Sequence, residues 1–463
     1  MSDNNNVCRE SVLNRVGNSL SNVSEKVMPS PLIFALLLTF VSFILGITLA
    51  GNTPVQMINH WYAGFWSLLA FGMQMALILV TGHALTRAPQ VNAIIKKLAG
   101  LPNNNPQAAA LTAIVATLVG YFHWGFGLIV GALFAVEIAK QAHYRGIKIH
   151  YPLIAAAGYT SQLVWHVGPS TSAGLLSATP GHIYEDLIGI VPLTESVFSI
   201  YAILIAVMLC IFVIPISFYF MAPKNVDNCR TIADMAPKLL EQAEHGVEDE
   251  EIKNPSFGDK LDHSRIIAYV VGIMGLVAIV LYFIAKGFTL DLNIFNFIFI
   301  IVGFLLHGTP TRYANAIGEA VGGAAGIILQ FPFYAGIMGM IQFYGLAIII
   351  ADWFLGFATP SNFPIIAWLT ASVMNIFVPS GGGEWAVIGS IISEVSLALG
   401  VPIGKAIVAY GCGDMWTNML QPFWAIALLG IMQLKARDII GYTVTIMLIT
   451  GAFIALGLYF FPY

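Results

Sequence analysis

Long apolar runs separated by short polar segments fill the chain from residue 31 to its end. Runs such as 31–50, 266–285 and 439–461 contain no charged residue. Each is long enough to cross a hydrocarbon core of about 30 Å at about 1.5 Å per helical residue. The pattern predicts an all-α polytopic membrane protein with about nine transmembrane helices, near 31–50, 64–84, 152–178, 198–221, 266–285, 293–308, 318–343, 404–433 and 438–461.

Two further apolar runs, 108–139 and 363–396, are interrupted near their middle by glycines. Each is followed by an apolar segment that a proline breaks, at Pro169 and at Pro422. Paired, interrupted hydrophobic segments at matching places in two halves point to the binding site of a secondary transporter. We therefore predict two re-entrant helical hairpins, each followed by a broken helix.

The distribution of Lys and Arg predicts the orientation in the membrane. If each hairpin starts and ends on one side, 18 of the 20 Lys and Arg residues lie on the side of the N-terminus, and only Lys286 and Lys405 lie opposite. The positive-inside rule then places the N-terminus in the cytoplasm and the C-terminus outside. The two hairpins insert from opposite sides in this topology, which makes the halves inverted repeats.

Residues 223–264 are the most charged part of the chain, with ten acidic and five basic residues. The simplest interpretation is a solvated cytoplasmic linker with a short helix near 232–246. Less apolar segments at 88–100 and 344–358 precede the two hairpins and are typical of helices lying in the membrane interface. The predicted organisation is a cytoplasmic N-terminal segment, 1–30; a first inverted repeat, 31–222, with hairpin 108–139 and broken helix 152–178; the linker, 223–264; and a second half, 265–463, with hairpin 363–396 and broken helix 404–433.

Composition and motifs exclude several classes of protein. The chain is 58% hydrophobic and 10% charged, with a mean hydropathy of +0.80. Its four cysteines are scattered without metal-ligand spacing, and zinc-protease, phosphate-loop and dinucleotide fingerprints are absent from the sequence. Gly411–Asp414 matches the Gly-x-Gly-Asp of intramembrane aspartyl proteases, but no Tyr-Asp pair supplies a second carboxylate. We predict a non-enzyme without a cofactor, except for a coupling H+ or Na+, and without a nucleic-acid partner.

The two glycine-rich breaks indicate a binding site for an anion. Irregular backbone is tolerated at membrane depth only where protein or a water-filled cavity surrounds it. Each break leaves a helix N-terminus with free N–H groups and a partial positive charge, which suits a carboxylate; a packing bend without a ligand is the plain alternative. The candidate substrate-binding residues are His123, Trp124, Gly125, Gly127, Ser161, His166, Ser170, Thr171, Ser172, Ser380, Gly381, Gly382, Gly383, Asn418 and Gln421.

Three residues are candidates for holding the coupling ion. Asp414 lies on the polar stripe of an apolar helix, where an ionisable group is costly unless it is paired or hydrated. Aligning the two helix-breaking prolines places Ser161 at the position equivalent to Asp414. Glu384 follows the glycines of the second hairpin and is either a coupling group or a residue at the cavity mouth facing water.

The two histidines near the breaks, His123 and His166, could relay a proton near neutral pH. A histidine in a helical membrane core is also often merely hydrogen-bonded, so both interpretations remain open. No Lys or Arg lies in the central portions of the four interrupted segments. Helix ends, hydroxyls, a protonated His or a co-bound cation would therefore neutralise a bound carboxylate. Aromatic residues near the breaks favour a small ligand with a short apolar tail over a sugar or a dicarboxylate: Phe122, Trp124, Phe126, Trp165, Trp385 and Trp416.

Five longer motifs carry a resemblance to a known family: FGMQMAL at 71–77, VTGHA at 80–84, QFPFYAG at 330–336, VPSGGG at 378–383 and QPFWA at 421–425. The chain resembles the bacterial short-chain fatty acid transporter family, within the wider ion-transporter superfamily, over about residues 25–461. The resemblance implies a two-domain carrier of the elevator type, often a homodimer, in the bacterial cytoplasmic (inner) membrane. It also implies uptake of acids such as butyrate or acetoacetate, driven by an ion gradient.

Carried over to this chain, the family's site lies at 123–127, at Ser380–Gly383, and at Asn418 with Gln421. The chain departs from the family pattern at His123 and around His166, which leaves the substrate and the coupling ion open. We expect a symporter for small monocarboxylates in a lipid bilayer. The alternatives are a carrier of C4-dicarboxylates or another small organic anion on the same fold and, from other classes, an anion channel or an intramembrane protease.

Overall fold

The computed structural model of the protein describes residues 31–223, 229–241, 256–342, 346–420 and 424–463. Within these ranges the chain is helical, with turns and connecting segments and without a β-strand. The predicted all-α architecture is therefore confirmed for the described part of the chain.

The helices follow the apolar runs of the sequence but are more numerous, because several runs are broken. The α-helices are Pro31–Thr48, Pro54–Phe65, Leu69–Leu85, Pro89–Ala99, Asn105–Phe122, Trp124–Tyr144, Tyr151–Tyr159, Ser172–Ser177, Glu185–Ile188, Ile200–Val207, Ile214–Met221, Ile232–Met235, Lys238–Glu241, Phe257–Asp262, Arg265–Lys286, Leu292–His307, Pro310–Val321, Ala325–Gln342, Leu346–Leu355, Phe363–Phe377, Gly381–Ala398, Ile403–Thr417, Ala425–Met432 and Ala436–Phe460. Short 3-10 helices occupy Thr160–Leu163, Trp165–Val167, Leu193–Glu195 and Gly322–Ala324, and Met208–Val213 is a π-helix.

Five described helices are long and apolar enough to cross a membrane, or six if the pair Pro54–Phe65 and Leu69–Leu85, bent by 45°, forms one span. These helices agree with a multi-pass membrane protein. Their number falls short of the predicted nine because several predicted spans are shorter helices or are broken, so the count of nine and the elevator arrangement stay predictions. Two of the five combine consecutive helical segments given above, Ile200–Met221 and Pro310–Ile341. The other three are Trp124–Tyr144, Arg265–Lys286 and Ala436–Phe460.

Both predicted hairpins are interrupted, by one residue in the first and by three in the second, and in each an extended residue caps the helix that follows. His123 has φ −157° and ψ 110°, and Ser380 has φ −156° and ψ 105°. The side chain of each accepts a hydrogen bond from the backbone N–H three residues later, of Phe126 at 3.1 Å and of Gly383 at 3.3 Å. The two halves therefore share the same local geometry at their breaks, as an inverted repeat requires.

The two ends of the first hairpin meet. The Arg145 guanidinium, just beyond its second helix, donates to the Gly100 carbonyl at 2.8 Å and to the Pro102 carbonyl at 3.0 Å. The His150 N–H donates to the Asn105 side chain at 3.0 Å. Residues just before and just after this hairpin thus lie on the same side of the molecule, while its re-entrant course in a membrane stays a prediction.

The two broken segments cross at their breaks, in the interior of the protein. The first passes from Tyr151–Tyr159 through two buried 3-10 helices to Ser172–Ser177. The second ends its first helix at Thr417 and resumes at Ala425, and Pro422 lies outside the described residues. The Tyr159 hydroxyl donates to the Asn418 carbonyl at 3.0 Å. This hydrogen bond connects the last turn of the helix before the first break to the break of the second segment.

The predicted peripheral elements are present as helices. Pro89–Ala99 and Leu346–Leu355 occupy the positions expected for interfacial helices. The linker contains two four-residue helices, Ile232–Met235 and Lys238–Glu241, where one short helix was expected, and residues 242–255 lie outside the described ranges. A capping box at Thr231 starts the first of these helices. The domain boundaries themselves stay predictions.

Candidate functional site

The tip of the second hairpin contacts the first broken segment so closely that only glycine fits. A Cβ at Gly381 would lie 2.2 Å from Nε2 of His166 and 2.6 Å from Cη2 of Trp165. The Tyr410 hydroxyl donates to the Gly381 carbonyl at 2.6 Å. The helix N-terminus at Gly381 is thus held by two side chains of the first broken segment and one of the second.

We expect Gly381→Ala to disturb this contact directly. The added methyl displaces the His166 imidazole, and overpacking of this kind costs about 1–3 kcal/mol. The melting temperature of the purified protein in detergent should fall, and substrate uptake should fall with it. Gly430→Ala is the matched control, because a Cβ at Gly430 meets no atom within 4 Å. Equal melting temperatures for the two variants would contradict the packing argument.

A small cavity of about 20 Å³ lies beside this tip, lined by residues that include Trp124, Trp165, Ser172, Ser380, Gly381 and Gly382. Its volume is about that of one water-sized probe sphere. A carboxylic acid therefore needs the surrounding elements to separate before it can occupy this place. The cavity gathers members of both hairpins and of the first broken segment, as the sequence predicts for a binding site.

Two carboxyl groups meet in the interior behind the hairpin tip. Glu384 and Asp414 are 0% and 1% exposed, and Asp414 is the charged neighbour of Glu384. Glu384 lies three residues beyond Gly381, which packs against the His166 ring, and neither Glu384 oxygen has a hydrogen-bond partner among the described residues. The mouth of a water-filled cavity, the second place considered for Glu384, is therefore not where this side chain lies. His166 completes the cluster, with Nε2 3.2 Å from Oδ1 of Asp414 and Nδ1 2.8 Å from Oγ1 of Thr171.

Asn375, which the sequence did not single out, connects the second hairpin to the second broken segment. Its amide Nδ2 lies 2.7 Å from the Asp414 carbonyl, 3.0 Å from Oγ1 of Thr417 and 3.0 Å from Oδ1 of Asn418. Asn418 is one of the predicted substrate residues, and its own amide lies 3.5 Å from the Gln162 carbonyl. A buried Asn in the first arm of a glycine-broken hairpin is the signal that could have found this junction.

Other predicted site residues stabilise the first hairpin. The Ser170 hydroxyl accepts a hydrogen bond from the Trp124 N–H at 3.0 Å. The His123 ring caps its helix and packs on Phe299, with ring centroids 4.1 Å apart. Ser161 lies against Gly120, where a Cβ would be 2.5 Å from the Ser161 carbonyl oxygen. These contacts give His123, Ser161 and Ser170 structural partners away from the carboxyl cluster.

Three predicted site residues remain: two glycines that pack against neighbouring residues, and a glutamine that the structure does not describe. Gly125 lies against Leu79, and Gly127 faces Gly120 across the hairpin turn. Gln421 lies outside the described residues. Among the described residues no group of three His, Cys, Asp or Glu side chains is placed to hold a metal ion.

A larger cavity of about 720 Å³ lies between the small cavity and the charged linker. This cavity, hereafter the vestibule, is lined by residues that include His83, Arg87, Leu128, Leu239, Trp424 and Gly430. Trp424 also lines the small cavity, and its ring centroid lies 5.3 Å from that of Trp124. The indole of Trp424 thus lies between the vestibule and the hairpin tip.

Comparison with known proteins places this architecture in a family. Residues 12–461 match the family described as short chain fatty acid transporter. A protein of Escherichia coli strain K12, provisionally named a short-chain fatty acid transporter, is 38% identical over 451 residues, covering 97% of this chain and 100% of the relative. A protein of Haemophilus influenzae with the same provisional name is 39% identical over 457 residues, with coverages of 97% and 100%.

The chain is also similar to a solved transporter structure, at a level that supports no mechanistic comparison. The crystal structure of the Alcanivorax borkumensis YdaH transporter aligns with a TM-score of 0.49 and 12% identity, over 92% of this chain and 98% of that one. The sequence match is far stronger, since it runs nearly end to end in both relatives. This protein therefore belongs to the short-chain fatty acid transporter family.

Proposed function

We propose that the protein carries short-chain monocarboxylates, such as butyrate or acetoacetate, across the bacterial cytoplasmic membrane by cation-coupled symport. Membership of the family supports the substrate class, and the names of both relatives point to the same one. The N-terminus lies in the cytoplasm in this proposal, on the side of the Lys- and Arg-rich loops.

The observation that carries the proposal is the glycine-lined helix N-terminus at Gly381–Gly383 beside an apolar cavity. Such an end offers backbone N–H groups that the helix itself cannot satisfy, together with a partial positive charge. Trp124 and Trp165 supply walls that suit a short hydrocarbon tail. A second carboxylate on the ligand would approach the buried carboxyl pair and be repelled, which favours monocarboxylates over dicarboxylates.

The two cavities support alternating access as the mechanism of this proposed carrier. The vestibule borders Leu239 of the charged linker, so in the proposed cycle it forms the cytoplasmic route. Movement of Trp424 joins the vestibule to the hairpin tip and releases the acid. In the elevator form of this cycle, the hairpins and broken helices move together against a scaffold in each subunit of a homodimer.

Counterflow of labelled butyrate in proteoliposomes tests the proposal. Vesicles loaded with unlabelled butyrate should accumulate the label transiently, because a carrier exchanges one molecule for another and a channel does not. Protonated short fatty acids cross lipid bilayers unaided, so protein-free liposomes give the baseline. Acetoacetate should inhibit counterflow and succinate should not. Equal inhibition by succinate would favour a dicarboxylate carrier, and counterflow at the baseline would refute the proposed carrier.

The proposed orientation predicts which residues an impermeant thiol reagent reaches. In a variant without the four native cysteines, Gly430→Cys should react with reagent applied from the cytoplasmic side, because Gly430 is exposed and lines the vestibule. Asp186→Cys is the control, because this exposed residue lies in a loop predicted to be outside. Labelling of Gly430→Cys from the outer side alone would reverse the proposed orientation.

A further inference from the structure

We propose that Glu384 binds the coupling ion, that this ion is a proton, and that one proton enters Glu384 with each monocarboxylate. This inference rests on the function proposed above and names the ion and the residue that the sequence leaves open. A proton from the outer solution bonds to a Glu384 carboxylate oxygen and forms the neutral acid. The same O–H bond breaks when the proton leaves to the cytoplasm after the substrate.

The inference begins with the isolation of the carboxyl pair. Glu384 is fully buried, and neither of its oxygens has a hydrogen-bond partner among the described residues. In the described part of the chain, neither carboxyl pairs with a Lys or an Arg. Closure of a low-dielectric interior over both carboxylates, without a Lys or Arg beside them, therefore favours uptake of a proton by one of them.

His166 makes Glu384 and Asp414 unequal. Its Nε2 lies 3.2 Å from Oδ1 of Asp414, while its Nδ1 lies 2.8 Å from the Thr171 hydroxyl. The imidazole is therefore oriented towards Asp414 and can serve as its counter-ion or hydrogen-bond donor. Glu384 has no such partner, so it is the carboxyl that takes the proton when the site closes over a substrate.

The position of Glu384 links its proton to the substrate. Glu384 lies in the first turn of the helix whose N-terminus, at Gly381–Gly383, lines the small cavity. When Glu384 is ionised, its charge competes with a substrate carboxylate for the same helix end. Protonation removes this competition, and a bound carboxylate in turn favours the protonated form, because coupling between two sites is reciprocal.

The surroundings suit a proton better than an alkali cation. Hard cations are bound by shells of several oxygen ligands. Here one neighbour of Asp414 is an imidazole nitrogen, and the described residues offer no group of three His, Cys, Asp or Glu side chains placed to hold a metal ion. The Tyr410 hydroxyl, the other polar group on this wall, is engaged by the Gly381 carbonyl.

The other titratable side chains near the pair come from three elements. Tyr410 shares the helix of Asp414, and its ring centroid lies 5.8 Å from that of His166. Tyr184 donates to the Trp385 and Ala386 carbonyls, and Tyr334 packs on Gly383. Tyrosine keeps its proton at neutral pH. These three tyrosines therefore do not supply the coupling proton.

Isothermal titration calorimetry of the purified full-length protein measures the proton directly. Butyrate is titrated at neutral pH in two buffers of different ionisation enthalpy, and the difference in heat gives the number of protons taken up. We expect about one proton per butyrate for the wild type, since the group changes its protonation on binding. Glu384→Gln should bind butyrate without taking up a proton.

Two further variants make the result specific. Glu384→Asp keeps a titratable group and should keep the proton uptake. Glu394→Gln, on the same helix and only half-buried, should behave as the wild type. Proton uptake that persists in Glu384→Gln would assign the proton to the ligand or to another residue and overturn the inference.

The same titrations separate this inference from the proposed function. Wild-type binding of butyrate without any proton would overturn the proton site and leave the monocarboxylate carrier standing. Absence of binding by butyrate and acetoacetate would refute the substrate class, and the inference about Glu384 would fall with it. If Glu384→Gln does not fold, the wild-type and Glu384→Asp proton counts still decide the question.

Discussion

Replacing Asp414 by Asn should abolish uptake of butyrate against its concentration gradient. Asn matches the shape of Asp but cannot be ionised, so it neither holds the His166 imidazole as a counter-ion, at 3.2 Å in the wild type, nor accepts a proton shared with Glu384. Uptake driven by an imposed ion gradient should fall to that of protein-free liposomes. The protein should still reach the membrane, since the substitution keeps volume and polarity.

The matched control is Asp352→Asn, an exposed aspartate on Leu346–Leu355 outside the buried cluster. It should leave uptake at the wild-type rate, and immunoblots of membranes should show equal amounts of both variants. Wild-type uptake by Asp414→Asn would remove this residue from the coupling mechanism. A variant missing from the membrane would instead give Asp414 a structural role.

Gly131→Val should have the largest effect on stability of any single change discussed for this protein. A Cβ at Gly131 would lie 2.1 Å from the Gly158 carbonyl oxygen, and a Cβ at Gly158 would lie 2.5 Å from the Gly131 carbonyl oxygen. Main chain faces main chain, so no flexible side chain can move aside. We expect a loss of about 3 kcal/mol or more, seen as failure to accumulate in the membrane or as early melting in detergent.

Gly318→Val provides the comparison for this prediction. Gly318 is also in a helix, Pro310–Val321, but it is exposed and a Cβ there meets no atom within 4 Å. Both substitutions carry the same helix-propensity cost, so their difference isolates the backbone contact. If Gly131→Val melts as Gly318→Val does, the first hairpin and the first broken segment do not pack as closely as described.

The apolar pattern predicted the helical class and the places where helices break, because both depend on local sequence. The extended residues at His123 and Ser380 fall within the predicted interruptions. The pattern predicted a break within 152–178 but did not show that the interruption would include two 3-10 helices. Apolar composition records burial, and a buried irregular segment is as apolar as a helix.

The chemistry of the candidate site was predicted by residue type and only partly by place. Asp414 and His166 were both chosen as ionisable groups near a break, but their contact joins two halves of the chain and no local pattern encodes it. Asn375 was missed for the same reason. The spacing Gly127-x-x-x-Gly131, typical of close helix packing, is a signal that could have predicted the contact of Gly131 with Gly158.

The hairpin tip at Gly381–Gly383 presents main chain alone to its neighbours, and this has a consequence for engineering. A backbone amide has the same chemistry whichever residue carries it, so recognition of the acid group cannot be redesigned there by substitution. In the proposed site, the cavity walls that would select for tail length are the indoles of Trp124, Trp165 and Trp424. Directed evolution towards longer or branched acids should therefore enrich smaller residues at these three positions and leave the glycines untouched.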